Sequence, residues 1–200
     1  MRKGEETRQT IVAKAAPLFN QQGYAGASMA DIMAATGLQK GGLYNHFASK
    51  EELAAAAFAH NWQQMRTLLA QALAKAGDSP VAQLHAVVRM HGNLAQGGLP
   101  VGGCPLLNTA IDSDDGNALL REQVRAALGE WQQIIQQIVE AGRQQGELRH
   151  DVVAEEVATT IIGALEGALM LSMLFKDPTY HQRMVAHLDG YVQTLIERNV

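Results

Sequence analysis

The sequence predicts an all-α protein, and three observations predict it. Alanine is abundant and β-branched residues come only in short runs, a composition that favours helix. No stretch alternates apolar and polar residues with the period of two that a half-buried strand needs. Gly, Pro and cap-forming residues instead divide the chain into about nine segments with helical spacing of apolar positions. The 200 residues are 47% hydrophobic and 18% charged, an ordinary globular composition.

The first helix is predicted from about Glu5 to Gln22, with Ile11, Ala15, Leu18 and Phe19 as its apolar stripe. Pro17 lies inside it and should bend it or loosen one turn. Gly23 should supply a left-handed C-terminal cap. Ser28 with Asp31 three residues on reads as a capping box that opens a short helix ending at Gly37. A third short helix is predicted over about Gln39 to Phe47, and Ser49-Lys50-Glu51-Glu52 is a second capping box opening a long helix to about Lys75. Ser79 can cap the next helix and Pro80 suits its first turn, with its end near Ala95. Residues 97–103, rich in Gly, form the longest loop signal. Pro105 restarts a short helix, interrupted at 112–116. Three more helices are expected: about Asn117 to Gln145, Asp151 to Phe175, and Asp177 nearly to the end.

Charge is unevenly placed. The net charge is −4, yet residues 1–53 hold six Lys/Arg against five Asp/Glu, while 54–200 hold ten against fifteen. That balance disfavours a non-specific nucleoid protein but leaves a weakly basic N-terminal end. The single cysteine, Cys104, allows no intramolecular disulfide and fits a reducing compartment. No apolar run approaches the roughly 20 residues that cross a bilayer, and the N-terminal residues do not read as a secretory signal. The expectation is a cytoplasmic protein with no membrane partner.

Two short helices joined by a tight Gly-containing turn suggest a helix-turn-helix. Ile32, Met33 and Leu38 can pack between them, and Leu43 and Phe47, four apart, share an inner face. The opposite face carries Lys40, Gly41, Tyr44 and Asn45, with His46 at its edge. Lys40 can donate to guanine or phosphate, Gln39 can read adenine, and Gly41 and Gly42 let the backbone approach DNA closely. Tyr44, His46 and Lys50 can donate to phosphates, which fixes register without reading sequence. Arg2 and Lys3 can reach a neighbouring phosphate or the minor groove. Spacing alone equally fits two short surface helices of a bundle.

Residues 28–53 resemble the DNA-binding signature of the TetR family. Gly37, Leu38, Gly41, Leu43, Tyr44, His46, Phe47, Ser49, Lys50, Glu51 and Leu53 all fall in place, and Leu18-Phe19 and Gly23-Tyr24 resemble the family's first helix and its exit. The resemblance implies a helix-turn-helix domain over 1–53 and a helical ligand-binding and dimerisation domain over 54–200. It implies base-side positions at Lys40, Gly41 and Gly42, phosphate contacts at Tyr44, His46 and Lys50, and a contact at Ser28. Gln39 and Gly42 depart from the residues common there, so operator sequence does not carry over.

The implied function is a repressor, acting as a homodimer on double-stranded DNA with a palindromic operator and released by a small-molecule effector. Gly163 and Gly167 provide a small-residue face, and Leu171, Met184, Leu188, Tyr191 and Leu195 can supply apolar contact to the second copy. Intramolecular core is the alternative. For the effector, candidate lining residues are Trp62, Met65, His91, Cys104, Asn108, Trp131, Glu166, Met170 and Met173. For most of these the structural reading is simpler, because Met or Trp at helical spacing is more often core.

Cys104 sits before Pro105 at the N-cap of a helix, with Gly102-Gly103 preceding it. A helix N-terminus stabilises thiolate and a Gly-rich approach gives access, so a thiol-based redox- or electrophile-sensing repressor is one alternative; a small buried residue is the other. A small-molecule enzyme with a vestigial DNA-binding head is the rival class. No nucleophile elbow or metal motif occurs. His85 and His91, like His181 and His187, lie six apart and do not share a helix face. Asp112, Asp114 and Asp115 fall short of a calcium loop. Neither cofactor, metal nor enzymatic activity is expected.

Overall fold

Nine α-helices account for the ordered architecture of the residues described in the computed structural model, which are 3–94, 100–113 and 116–197. They are α1 (Lys3–Gly26), α2 (Met29–Thr36), α3 (Lys40–Tyr44), α4 (Lys50–Ala76), α5 (Pro80–Leu94), α6 (Pro105–Ser113), α7 (Ala118–Gln144), α8 (Ala154–Phe175) and α9 (Thr179–Leu195). Among these residues the one β feature is an isolated bridge between Leu148 and Ile196. The element count follows the sequence reading. Arg2, Asp114 and Asp115 lie outside the described residues, as does the side chain of Lys3.

Spatial contact divides the chain into two compact units. One is Met1–Met65 with Leu99–Ala127, and the other is Arg66–Gly98 with Leu128–Val200. The core of the first is Ile11, Val12 and Ala15 from α1, Ile32 from α2, Leu43 from α3, then Phe47 and Leu53. α1 runs through Pro17 without leaving helical backbone geometry; its break is at Gly23, with φ 73 and ψ 172. Gly23 has the positive φ expected there but, at ψ 172, an extended conformation and not the left-handed cap expected of it.

In the second unit α8 packs on α9 and α5. Leu84, Val87 and Val88 of α5, Ile135 and Val139 of α7, and Ile161, Leu165 and Leu169 of α8 are buried. α5 begins on a shared cap. Glu147 Oε2 accepts from Ser79 Oγ at 2.7 Å and from Val81 N–H at 3.2 Å, and Ser79 Oγ accepts from Ala82 N–H at 3.3 Å. These bonds satisfy donors that the first turn of a helix leaves free. The α8–α9 turn is tied by His181 N–H donating to Ser172 Oγ at 3.0 Å. Thr179 N–H donates to Asp177 Oδ1 at 2.9 Å, and this bond holds the Asp177 carboxyl below its ordinary range.

One expectation needs correction. α8 has 22 residues and a window of mean hydropathy 1.7, so by length and composition it is long and apolar enough to cross a membrane. The reason is that it is apolar on two sides. Val157, Ile161, Leu165 and Leu169 face the core, while Met170, Met173, Leu174 and Phe175 are exposed.

Candidate functional site

α2 and α3 are shaped by local hydrogen bonds. Ser28 Oγ accepts from Asp31 N–H at 3.1 Å, and Asp31 Oδ2 accepts from Ser28 N–H at 3.1 Å. This is the capping box read from the sequence, and bonding to Ser28 holds the Asp31 carboxyl below its usual range. Gly37 ends α2 in the left-handed region at φ 74, its N–H donating to Met33 O at 2.9 Å. Gln39 opens α3 from an extended backbone and makes no side-chain capping bond.

α3 is shorter than its predicted span. Two glycines in five residues weaken the helix, and His46 N–H donates to Leu43 O at 3.0 Å in a tighter turn. Its orientation is nonetheless fixed from inside, because Leu43 and Phe47 are 1% and 2% exposed. Gln39, Lys40, Gly41, Tyr44 and Asn45 are exposed, and Gly42 and His46 are half-buried. A Cβ on Gly41 would meet nothing within 4 Å, and one on Gly42 would meet only Leu38, at 3.7 Å. Packing among the described residues thus demands neither glycine.

The basic side chains are held in two ways. Arg8 Nη2 lies 3.1 Å from Glu52 Oε1, and the guanidinium sits 4.1 Å from the Phe47 ring centroid. Lys40 Nζ lies 5.9 Å from the Tyr44 ring centroid, and Lys50 Nζ 4.5 Å from that of Tyr24. The second capping box appears with its return bond shifted by one residue. Ser49 Oγ accepts from Glu52 N–H at 3.1 Å, but Glu52 Oε2 accepts from Ala48 N–H at 2.7 Å.

This arrangement, two short helices with a buried inner stripe and an exposed donor-bearing α3, coincides with a matched family model. Residues 11–57 match that of the bacterial regulatory proteins of the tetR family, and residues 80–188 match the tetracyclin repressor-like C-terminal domain. The chain belongs to the TetR family. A TetR transcriptional regulator from Chloroflexus aurantiacus J-10-FL has a TM-score of 0.95 at 45% identity, with 100% of each chain covered. The HTH-type transcriptional regulator LmrA of Bacillus subtilis (strain 168) is 27% identical over 194 residues, 96% of this chain and 98% of its own. The HTH-type transcriptional repressor DhaR of Mycobacterium sp. (strain GP1) is 25% identical over 167 residues, 82% of this chain and 80% of its own. This TetR-family chain is a helix-turn-helix regulator of transcription that binds DNA.

Within the second unit of this TetR-family chain, three expected effector residues converge. His91 is 0% exposed and Trp131 1%; their rings stack at 5.6 Å with planes 12° apart. His91 Nε2 lies 3.3 Å from Glu166 Oε1, and His91 Nδ1 lies 3.0 Å from His181 Nε2. With a carboxylate at Glu166, His91 Nε2–H donates to it, His181 Nε2–H donates to His91 Nδ1, and His181 Nδ1 is left as a lone pair. Burial, with His91 adding to it, pushes the His181 imidazole down to about 4 against the opposing pull of Glu166. His181 Nδ1 and Trp131 Nε1 are both buried with no hydrogen-bond partner. The sequence reading missed His181 as a partner of His91. The two lie 90 residues apart, and no local spacing signals them.

Trp62, Met65 and Cys104 are buried in the first unit. The Gly-rich approach does not expose Cys104, which is 0% exposed. Asn108 Nδ2 donates to Asn20 O at 3.0 Å and Gly102 O at 2.9 Å, so this side chain ties α6 to α1. Met170 and Met173, expected to line a ligand site, are instead 47% and 46% exposed on the outer side of α8. Met170 joins Gly163, Gly167, Leu171 and Met184 in an open apolar groove between α8 and α9. Two expected interface residues need correction as well. Leu188 and Leu195 are 1% and 5% exposed, spent in the chain's own core, whereas Met184 and Tyr191 are half-buried. A single apolar stripe on α9 does not specify which neighbour it faces.

Proposed function

We propose that this regulator is a repressor that binds a palindromic operator as a homodimer and is released by a small-molecule effector. The carrying observation is α3. Gln39, Lys40, Gly41, Tyr44 and Asn45 stand exposed over a locked Leu43–Phe47 face, the form of a helix that enters a major groove. Lys40, with Gln39 and Asn45, reads base edges; Gly41 and Gly42 allow close approach; Ser28, Tyr44, His46 and Lys50 hold phosphates. One α3 spans only a few base pairs, and two related by a dyad supply the remaining specificity. The apolar groove lined by Gly163, Gly167, Leu171 and Met184 supports dimerisation through α8 and α9.

The effector reading rests on the His91–Glu166–His181 array beside Trp131. Buried polar atoms normally have partners, and two here do not. A small molecule bearing both a hydrogen-bond donor and an acceptor would complete them. It releases DNA only if it binds the released state more tightly than the DNA-bound state. DhaR is named as a repressor, which supports that sign of regulation here. A regulator of this kind works in the cytoplasm, where the promoter is.

The test is binding of the full chain to the duplex immediately upstream of its own coding sequence, compared with a random duplex of equal length at fixed salt. The upstream duplex should bind at least about a thousandfold tighter. Equal affinity for both would defeat the specific-repressor reading.

A further inference from the structure

Two lysines of the DNA-binding head rest on tyrosine rings, and one of those tyrosines lies outside α3. Lys50 Nζ is 4.5 Å from the Tyr24 ring centroid, closer than Lys40 Nζ is to Tyr44. Both distances are within the reach of a cation–π attraction. No ion pair to Lys50 is found among the described residues. Arg8 is the contrast, because Glu52 matches its charge at 3.1 Å. A carboxylate holds a cation in place by offsetting its charge. An aromatic face holds it by a quadrupole and leaves the net charge whole.

Tyr24 is itself held from two sides. Gly23 breaks α1 at φ 73, and the next residue's N–H, that of Tyr24, donates to Asp112 Oδ2 of α6. A Cβ at Gly23 would stand 2.8 Å from Asp112 Oδ1, so this approach requires glycine. Burial raises the Tyr24 phenol above its ordinary range, with Glu51 adding to the effect. The ring therefore stays neutral.

We propose that Tyr24 is a positioning residue for DNA binding: its ring holds the Lys50 ammonium at the start of α4, ready for a backbone phosphate and with its charge intact. The proposal rests on the phosphate role given above to Lys50. A long lysine side chain otherwise samples many rotamers, and ordering it on the DNA costs entropy. A ring that orders it beforehand removes part of that cost.

The test uses full-length protein carrying Tyr24→Phe, Tyr24→Leu, Lys50→Ala, or Tyr24→Leu with Lys50→Ala. Binding to the upstream duplex and to a random duplex is followed by fluorescence anisotropy across a range of KCl. Tyr24→Phe should bind as wild type. Tyr24→Leu should bind about threefold more weakly with the log K against log salt slope of wild type, because Lys50 keeps its charge, whereas Lys50→Ala loses up to about one unit of slope. The double variant should bind no more weakly than Lys50→Ala alone. Additive losses in the double variant, or wild-type affinity in Tyr24→Leu, would overturn the proposal. Should Tyr24→Leu lose its helical circular dichroism, the wild-type protein still decides. Its Lys50 Hε protons should show upfield ring-current shifts in NMR, and random-coil shifts would overturn the proposal. Equal affinity of wild type for both duplexes defeats the specific-repressor reading alone, since the loss in Tyr24→Leu is also read on random DNA.

Discussion

His91 Nδ1 and His181 Nε2 face each other at 3.0 Å inside the second unit. A proton added to His181 meets both burial and its neighbour, which is why the His181 imidazole sits near 4 and not at 6.5. The unfolded chain then binds that proton more tightly than the folded chain does. Stability present above about pH 6.5 should be lost as pH falls towards 4, by on the order of 2 kcal/mol after allowance for solvent screening. Urea melts at a series of pH values should show this decline, and His181→Phe should flatten it. An equally steep decline in that variant would contradict the assignment.

Gly41 is an unusual choice in a helix, and nothing around it needs the space. Gly41→Ala should keep the fold and raise stability by up to about 1 kcal/mol. Its affinity for the upstream duplex should nevertheless fall under the proposed reading, in which the α3 backbone approaches DNA at this residue. Thermal melting and anisotropy on one sample separate the two effects. Undiminished affinity would remove Gly41 from the interface.

On the outer side of α8, a Cβ at Gly167 meets nothing within 4 Å among the described residues. Gly167→Leu should therefore leave the helical signal unchanged while obstructing a second copy. Sedimentation velocity should show wild-type dimer and variant monomer at micromolar concentration. A dimeric variant would place the interface elsewhere.

Asn20 is 5% exposed, and its Nδ2 donates to Val101 O at 2.8 Å and Gly103 O at 3.0 Å. Asn20→Ala leaves both carbonyls without this donor, and it should cost about 2 kcal/mol in chemical denaturation. A cost below about 0.5 kcal/mol would mean that water replaces the amide.

The thiol of Cys104 is wholly buried. A colorimetric disulfide reagent should label it slowly in the native protein and quickly in denaturant, with native labelling slowed at least about a hundredfold if it requires local opening. Fast native labelling would restore the electrophile-sensing alternative.

How much of this was legible in the sequence depends on the range over which each feature is determined. The Ser28–Asp31 box and the Gly37 cap are contacts within a few residues, and both appear as read. The Leu43–Phe47 inner face is also local, so α3 is correctly oriented although its end is not. The His91–His181 pair depends on α5 packing against α9, which no pattern in either helix encodes. Leu188 and Leu195 of α9 are likewise buried within the chain, although their spacing suits a partner chain equally well. On α8, Met170 and Met173 share a helix with buried residues but stand on its other side, and apolar chemistry alone does not distinguish the two sides. Cys104 was read from its neighbours in sequence, whereas its access is decided in three dimensions.

The pairing of Arg8 with Glu52 has a consequence for how the protein meets a chromosome. That arginine is engaged at home and contributes little to a general pull toward nucleic acid. With that cation of the head already matched, random sequence should hold the protein more briefly than a head with Arg8 unpaired would. A regulator that bulk DNA does not sequester can be effective at low copy number, because few competing sites draw it away from the one it controls.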